Sequence, residues 1–179
     1  GFIVNSINHN IYVTGGSTML LTGGTGAWTS LGAPSTGITY NLALDGSGTL
    51  FASGSGSSGS TYFTAASKYS GASWTVIGGG NLPSSVSSQG LPQNLTVNSN
   101  GVYTINAPAY HDPTNIYLSA SGTGAWSNVN SSIATSQAVS KIISLPTSSK
   151  LYANYGSYNL SHYSSGTWQQ LGGSGSIDS

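Results

Sequence analysis

Three aspartates and three histidines carry all the side-chain acid–base chemistry in this chain that works near neutral pH: Asp45, Asp112 and Asp178, with His9, His111 and His162. There is no Glu, Arg or Cys, and the only basic side chains are Lys68, Lys141 and Lys150. Glycoside hydrolysis needs two carboxyl groups several ångströms apart. Asp45 lies in "LDGSG", where Asp-Gly signals a hairpin turn, and Asp178 lies near the end of the sequence. Asp112 lies in "AYHDPTN", beside His111 and before a proline. That is the one place where a catalytic or metal reading could start, although Asp-Pro also initiates turns. A metal site needs several converging ligands. The three histidines sit in different parts of the chain and read as solvated loop residues. Serine is abundant, but no G-x-S-x-G elbow occurs between a strand and a helix. The clusters "TGG", "GGG" and "GGSG" precede neither GK[ST] nor a helix, so they are not phosphate loops. The expectation is no catalytic residue, no metal and no cofactor.

Aromatic side chains remain as the chemistry-bearing set: eleven Tyr, four Trp and three Phe. An aromatic with a polar handle offers both a stacking face and a hydrogen bond. On a Tyr- and Asn-rich surface with few charges, that suits a neutral ligand such as a glycan. Six and five residues before a Trp stand Lys68–Tyr69 in one place and His162–Tyr163 in another. The corresponding positions before the other two tryptophans are Thr22–Gly23 and Ala120–Ser121. A polar–aromatic pair recurring in alternate repeats could form repeated ligand pockets, to which Tyr110, His111, Tyr155 and Tyr158 add exposed-looking Tyr and His. The competing reading packs Tyr69 and Tyr163 beneath their hairpin turns as structural residues.

These residues must be positioned by a repeat. Trp28, Trp74, Trp126 and Trp168 are every Trp in the sequence, spaced 46, 52 and 42 residues apart. Around them the chain reads "GTGAWTSLGAP", "SGASWTVIGGG", "GTGAWSNVN" and "SSGTWQQLGGS". An aliphatic–aromatic pair precedes each: "IYV" with Tyr12, "LFA" with Phe51, "VYT" with Tyr103 and "LYA" with Tyr152. The gap from that aromatic to the Trp is 16, 23, 23 and 16 residues, and the longer gaps hold "GSGSSGS" and "APAYHDPT". Two more strand-like runs complete each repeat. One precedes the pair ("GFIVNSI", "ITYNLAL", "QNLTVN", "SKIISL"), and the other lies between the pair and the Trp ("TMLLT", "TYFTAAS", "NIYLSAS", "YNLSHY"). The first two runs of each repeat are joined by the turn formers "NHN", "DGSG", "NSNG" and "PTSS". The runs alternate or are β-branched and aromatic, and no segment sustains a 3.6-residue period.

Four short antiparallel strands in about 45 residues are the signature of a β-propeller blade. The expected fold is all-β: one β-propeller domain over 1–179, with four four-stranded antiparallel blades at roughly 1–34, 35–82, 83–132 and 133–174. The four Trp, with Tyr12, Phe51, Tyr103 and Tyr152, are expected to do a repeated packing job, each indole filling the seam between neighbouring blades. With no Cys to clip the ring, either four blades close on themselves or the chain is part of a larger ring, completed by a second copy or by further sequence. A half-ring would expose edges and apolar seams, which favours a homo-oligomer.

"SKYSGASW" (Ser67–Trp74) resembles the Asp-box hairpin, S-x-D-x-G-x-T-W, of sialidase-like propellers. Ser67, Gly71, Ser73 and Trp74 fit, and Tyr69 replaces the Asp. "SHYSSGTW" (Ser161–Trp168) fits at Ser161, Thr167 and Trp168, with Tyr163 in place of Asp and Ser165 in place of Gly. The blade endings are also similar to the Y-x-G-x-x-W-x-x-L-G pattern of secreted bacterial and kelch-like propellers. The resemblance implies the propeller architecture. Sialidase activity does not carry over, because those enzymes use an arginine cluster and a Tyr/Glu pair, and this chain has neither Arg nor Glu.

Composition narrows the partners. Charged residues make up 3% of the chain, against about one-quarter in ordinary domains. Three scattered lysines cannot neutralise a run of phosphates, which argues against nucleic acid, and the same scarcity argues against an anionic membrane surface. No apolar run reaches about 18 residues, the length of a membrane-spanning helix. No signal peptide is visible, so the chain reads as mature, trimmed or a fragment. Sequons at Asn94, Asn130 and Asn159 would matter only in a eukaryotic secretory pathway. The leading expectation is a non-catalytic, extracellular binding module for neutral glycans or another surface ligand. The alternative is a structural subunit of an extracellular assembly such as a surface layer, filament or adhesin. A fragment of a propeller hydrolase is a third reading, which the scarcity of acids disfavours.

Overall fold

A computed structural model describes residues 1–34, 38–58, 61–80, 92–106, 115–129, 139–155 and 159–171. Tyr110, His111, Tyr158, Asp112 and Asp178 lie outside the described residues. Sixteen strands form four separate antiparallel sheets, and in each sheet the spatial order follows the chain. The first sheet holds β1 (Phe2–Val4), β2 (Ile11–Thr14), β3 (Thr18–Leu21) and β4 (Trp28–Ser30). The second holds β5 (Ile38–Leu44), β6 (Leu50–Ser58), β7 (Thr61–Tyr69) and β8 (Trp74–Val76). The third holds β9 (Pro92–Asn98), β10 (Gly101–Asn106), β11 (Asn115–Ala120) and β12 (Trp126–Asn128). The fourth holds β13 (Val139–Ser144), β14 (Leu151–Tyr155), β15 (Asn159–Ser164) and β16 (Thr167–Leu171). The architecture is a β-propeller arc of four meander blades. The one helical element described is a single 3-10 turn at Thr22–Gly24.

Local chemistry explains the hairpins. Short β-branched and aromatic runs have little helix propensity, and Gly and Ser between them break any helix. The turn from β15 to β16 places Ser165 and Gly166 at φ +53° and +85°. Positive φ at both central residues is the turn whose twist matches a two-residue hairpin. Glycine is required where the ladder is crowded. Gly101 opens β10 at φ +145°, and a Cβ there would overlap the Ser119 carbonyl.

The first strands of successive blades lie side by side, β1 next to β5, β5 next to β9, and β9 next to β13. Because side chains alternate across a sheet, each blade presents one face to the blade before it and one to the blade after. Between the second and third blades, Ala43, Phe51 and Ile77 pack against Leu95, Val102, Tyr117 and Trp126. Between the third and fourth, Tyr103, Ile105 and Ile116 pack against Ile142, Leu151 and Trp168. Burying one large apolar side chain stabilises the fold by roughly 1.5–3 kcal/mol, so these seams hold the blades together. Tyr12, Phe51 and Tyr103 are buried at matching second-strand positions, while Tyr152 is half-buried.

The tryptophans belong to the faces that look back along the chain. Trp74 Nε1 donates to the Leu31 carbonyl of the first blade at 3.0 Å. Trp168 Nε1 donates to the Val129 carbonyl of the third at 2.6 Å. In both cases the acceptor lies three residues after the preceding blade's Trp. Trp126 also faces back, onto Gly78 of the second blade, which stands at φ +72° and where a Cβ would overlap the indole nitrogen, but its Nε1 is buried without a hydrogen-bond partner. Trp28 has no described blade before it and is 47% exposed.

Candidate functional site

The four inner strands end at one mouth of the central channel, where a cavity of about 510 Å³ opens. Every blade contributes to it: Ile3 and Ile7 from the first, Leu42 and Leu44 from the second, Leu95 and Thr96 from the third, and Ser144 and Thr147 from the fourth. The wall is mainly apolar with a few hydroxyl and Asx groups, the usual make-up of a small-ligand or peptide pocket. Of the lining residues, Val4 is 50% exposed and Ile7 66%.

A repeated side-chain turn shapes this mouth. Asn5, Asp45 and Asn98 each follow or end the inner strand of their blade, and each accepts from the backbone N–H two residues on. Asn5 Oδ1 accepts from Ile7 at 2.9 Å, Asp45 Oδ1 from Ser47 at 2.9 Å and Asn98 Oδ1 from Asn100 at 2.8 Å. Such Asx turns mimic a backbone turn and hold the loop without a partner element. The fourth blade has Leu145 at the matching place, and there Ser148 Oγ accepts from the Lys150 N–H at 3.0 Å instead.

The amide ends of the same residues reach across the seams. Asn98 Nδ2 donates to the Lys150 carbonyl at 3.3 Å, and Asn100 Nδ2 donates to Ser149 at 3.1 Å. The Asn5 amide lies over Gly48 of the second blade, 2.7 Å from where a Cβ would stand. Deeper in the third seam, the Thr96 and Ser144 hydroxyls are 2.8 Å apart, and Ser144 Oγ donates to the Val97 carbonyl at 2.9 Å. Both are buried, so the channel wall is fixed by satisfied polar contacts. An aspartate has no amide to lend, and Asp45 Oδ1 turns inward: it also accepts from Ser47 Oγ at 2.6 Å and from the Thr49 N–H at 2.8 Å. Burial alone would raise its carboxyl, but the hydrogen bonds from Ser47 and Thr49 outweigh it and hold the pKa below the ordinary 3.8. Asp45 is therefore an ionised turn holder that works through its Oδ1.

The aromatic pairs of alternate repeats sit elsewhere, on the third strands. Lys68 and Tyr69 are adjacent in β7, so their side chains leave opposite faces of the sheet. Tyr69 pairs across the strands with Trp74, ring centroids 5.1 Å apart at 50°, and its hydroxyl donates to the Gly71 carbonyl at 3.1 Å. Lys68 Nζ stands 5.9 Å from the centre of the Phe51 ring. In the fourth blade Tyr163 meets Trp168 in the same way, at 5.1 Å and 44°. His162 lies 6.2 Å from Tyr152, ring centre to ring centre. Tyr155 is buried in the core between the third and fourth blades, with its hydroxyl accepting from Ser161 Oγ at 3.2 Å. None of these side chains lines the cavity.

The Asx set at the mouth carries a signal in the sequence. Asn5, Asp45 and Asn98 occupy one repeat position, immediately after the apolar alternation of each inner strand. A composition-led reading treats them as generic turn formers and passes over the position they share.

Among known proteins the likeness is one of fold. No protein-family model matches the chain, and no curated protein matches its sequence. A solved structure described as YCF48 bound to D1 peptide matches with a TM-score of 0.53 and 18% identity. The match covers 94% of this chain and 51% of that one, so the chain spans about half the length of the solved propeller it resembles.

Proposed function

We propose that this chain is a non-catalytic binding module whose channel mouth receives an uncharged polypeptide segment carrying an apolar side chain. The observation that carries this reading is the cavity of about 510 Å³ built from all four inner strands, mainly apolar and bordered by the exposed Val4 and Ile7. A buried apolar anchor ringed by turn backbones is a common way to hold a peptide. The peptide named with YCF48, a protein of the same fold class, makes a polypeptide the first ligand class to try. Among the described residues the one carboxylate lining the cavity is Asp45, whose Oδ1 is engaged in its own turn. A neutral glycan bound at the Lys68–Tyr69 and His162–Tyr163 pairs is the second reading. It is supported by the repetition of those pairs, but Tyr69 and Tyr163 already give one ring face each to a tryptophan.

The test screens the protein against an array of uncharged peptides and an array of neutral glycans, alongside an Ile7→Glu variant. Ile7 is exposed, so the variant keeps its fold. The expected result is peptide binding that weakens at least about tenfold in Ile7→Glu, the scale of losing an interface anchor. Glycan binding that is lost in Tyr69→Ala and untouched in Ile7→Glu would overturn the peptide reading, as would a blank peptide array.

A further inference from the structure

Residues that face each other in an antiparallel pair exchange both main-chain bonds or neither, in alternation. At the second kind of position the N–H and C=O point away from the partner strand. In the second blade the Asp45 N–H donates to the Thr49 carbonyl. Counting back from that bonded pair, Ala43 bonds with Phe51, while Leu44 and Leu42, opposite Leu50 and Ala52, turn their main-chain groups away from β6. In the first blade the Asn5 N–H donates to the Asn10 carbonyl, so Val4, opposite Ile11, turns away from β2. The third and fourth blades show where such groups go. The Val97 carbonyl, at a position opposite Val102, accepts from Ser144 Oγ at 2.9 Å. The Ser144 N–H, opposite Leu151, donates to Thr96 Oγ1 at 3.1 Å. Val4, Leu42, Leu44, Val97 and Ser144 all line the cavity at the channel mouth. Its wall is therefore built partly from the inner edges of strands.

These edges are not equally open. Those of the third and fourth blades are tied to each other through Thr96 and Ser144. Along β5, no group among the described residues bonds to the outward N–H and C=O of Leu42 and Leu44. Both residues are half-buried and line the cavity, and they stand two positions apart, the repeat of a strand ladder. On β1, Val4 alone of the outward residues lines it. We infer that β5 is the edge on which a peptide is held: an extended segment enters the channel mouth and bonds to Leu42 and Leu44 by strand addition. The bonding residues of the segment recur at every second position, about 7 Å apart, and its main chain supplies the donors and acceptors that this edge lacks. This deepens the peptide reading above and rests on it.

Amide hydrogen exchange followed by NMR on the full chain tests the edge first. In the free protein the Leu42 and Leu44 amides should exchange at least about tenfold faster than that of Ala43, which is bonded in the ladder. The tightest-binding peptide of the uncharged array is then added, and both amides should slow by at least about tenfold. The same peptide is made with one backbone N-methyl group at each position in turn. Affinity should fall about tenfold or more at alternate positions and hold at those between, because a methylated nitrogen cannot donate. Slow exchange of Leu42 and Leu44 in the free protein would overturn strand addition on β5. N-methyl losses without a period of two would do the same, and either result leaves the peptide reading standing. A blank peptide array overturns both.

Discussion

The hydrogen bond from Trp168 Nε1 to the Val129 carbonyl is the sharpest test of how the blades are held. It spans 2.6 Å between two blades, and the Trp168 side chain is 8% exposed. Trp168→Phe keeps an aromatic ring in place and removes the N–H and part of the ring area. The Val129 carbonyl then loses its donor inside a seam from which water is excluded, a cost of about 1–3 kcal/mol. The smaller ring also leaves a void beside Ile142 and Leu151, worth about 1–2 kcal/mol more if the seam does not collapse onto it. The expected total is about 2–5 kcal/mol, a large share of the 5–15 kcal/mol that stabilises a typical domain. Urea unfolding followed by circular dichroism measures it, with the midpoint falling and the m-value unchanged. A loss below about 0.5 kcal/mol, the size of an ordinary surface change, would refute the view that the indole–carbonyl contact anchors the seam.

Two further outcomes follow from local geometry. Ser165 holds φ +53° in the hairpin between β15 and β16, so Ser165→Asn, which tolerates that region better beside Gly166, should stabilise the fold by roughly 0.5 kcal/mol. An unchanged or lower thermal midpoint would contradict the turn assignment. Asp45 titrates below its ordinary 3.8 in the fold, so its stabilising effect is fully present above 3.8 and is lost as the pH falls through the depressed folded value. The wild type should therefore lose more thermal stability than Asp45→Asn on acidification below 3.8, and parallel acid profiles for the two proteins would count against the turn's role.

The architecture was legible because it is written locally and repeatedly. Alternation within "GFIVNSI" or "SKIISL" marks a strand, "DGSG" and "NSNG" mark the turns after inner strands, and four evenly placed tryptophans mark the repeat. Such signals act over a few residues and need no knowledge of the neighbours. The candidate site was less legible. Lys68 with Tyr69 looks like a pocket pair in one dimension, yet adjacent strand residues leave opposite faces. Tyr69 finds its partner, Trp74, only once the hairpin has closed. Tyr110, His111 and Tyr158 lie outside the described residues. The channel mouth escaped notice because its parts come from four distant segments, each of which looks like an ordinary loop.

By itself, then, the sequence determined that this chain is an all-β repeat of four-stranded sheets with almost no charge, since strand propensity, turn chemistry and composition are properties of short segments. Tertiary structure decided what each repeated residue does. Trp74 and Trp168 each meet a carbonyl of the blade before them, 43 and 39 residues earlier, while Trp28, in an equivalent stretch of chain, stands open. Asn98 likewise bonds to Lys150, 52 residues on, while Asp45 bonds only within its own turn. A period of two assigns side chains to the two faces of a sheet. What lies against each face, and whether anything does, depends on where the ring places the next blade.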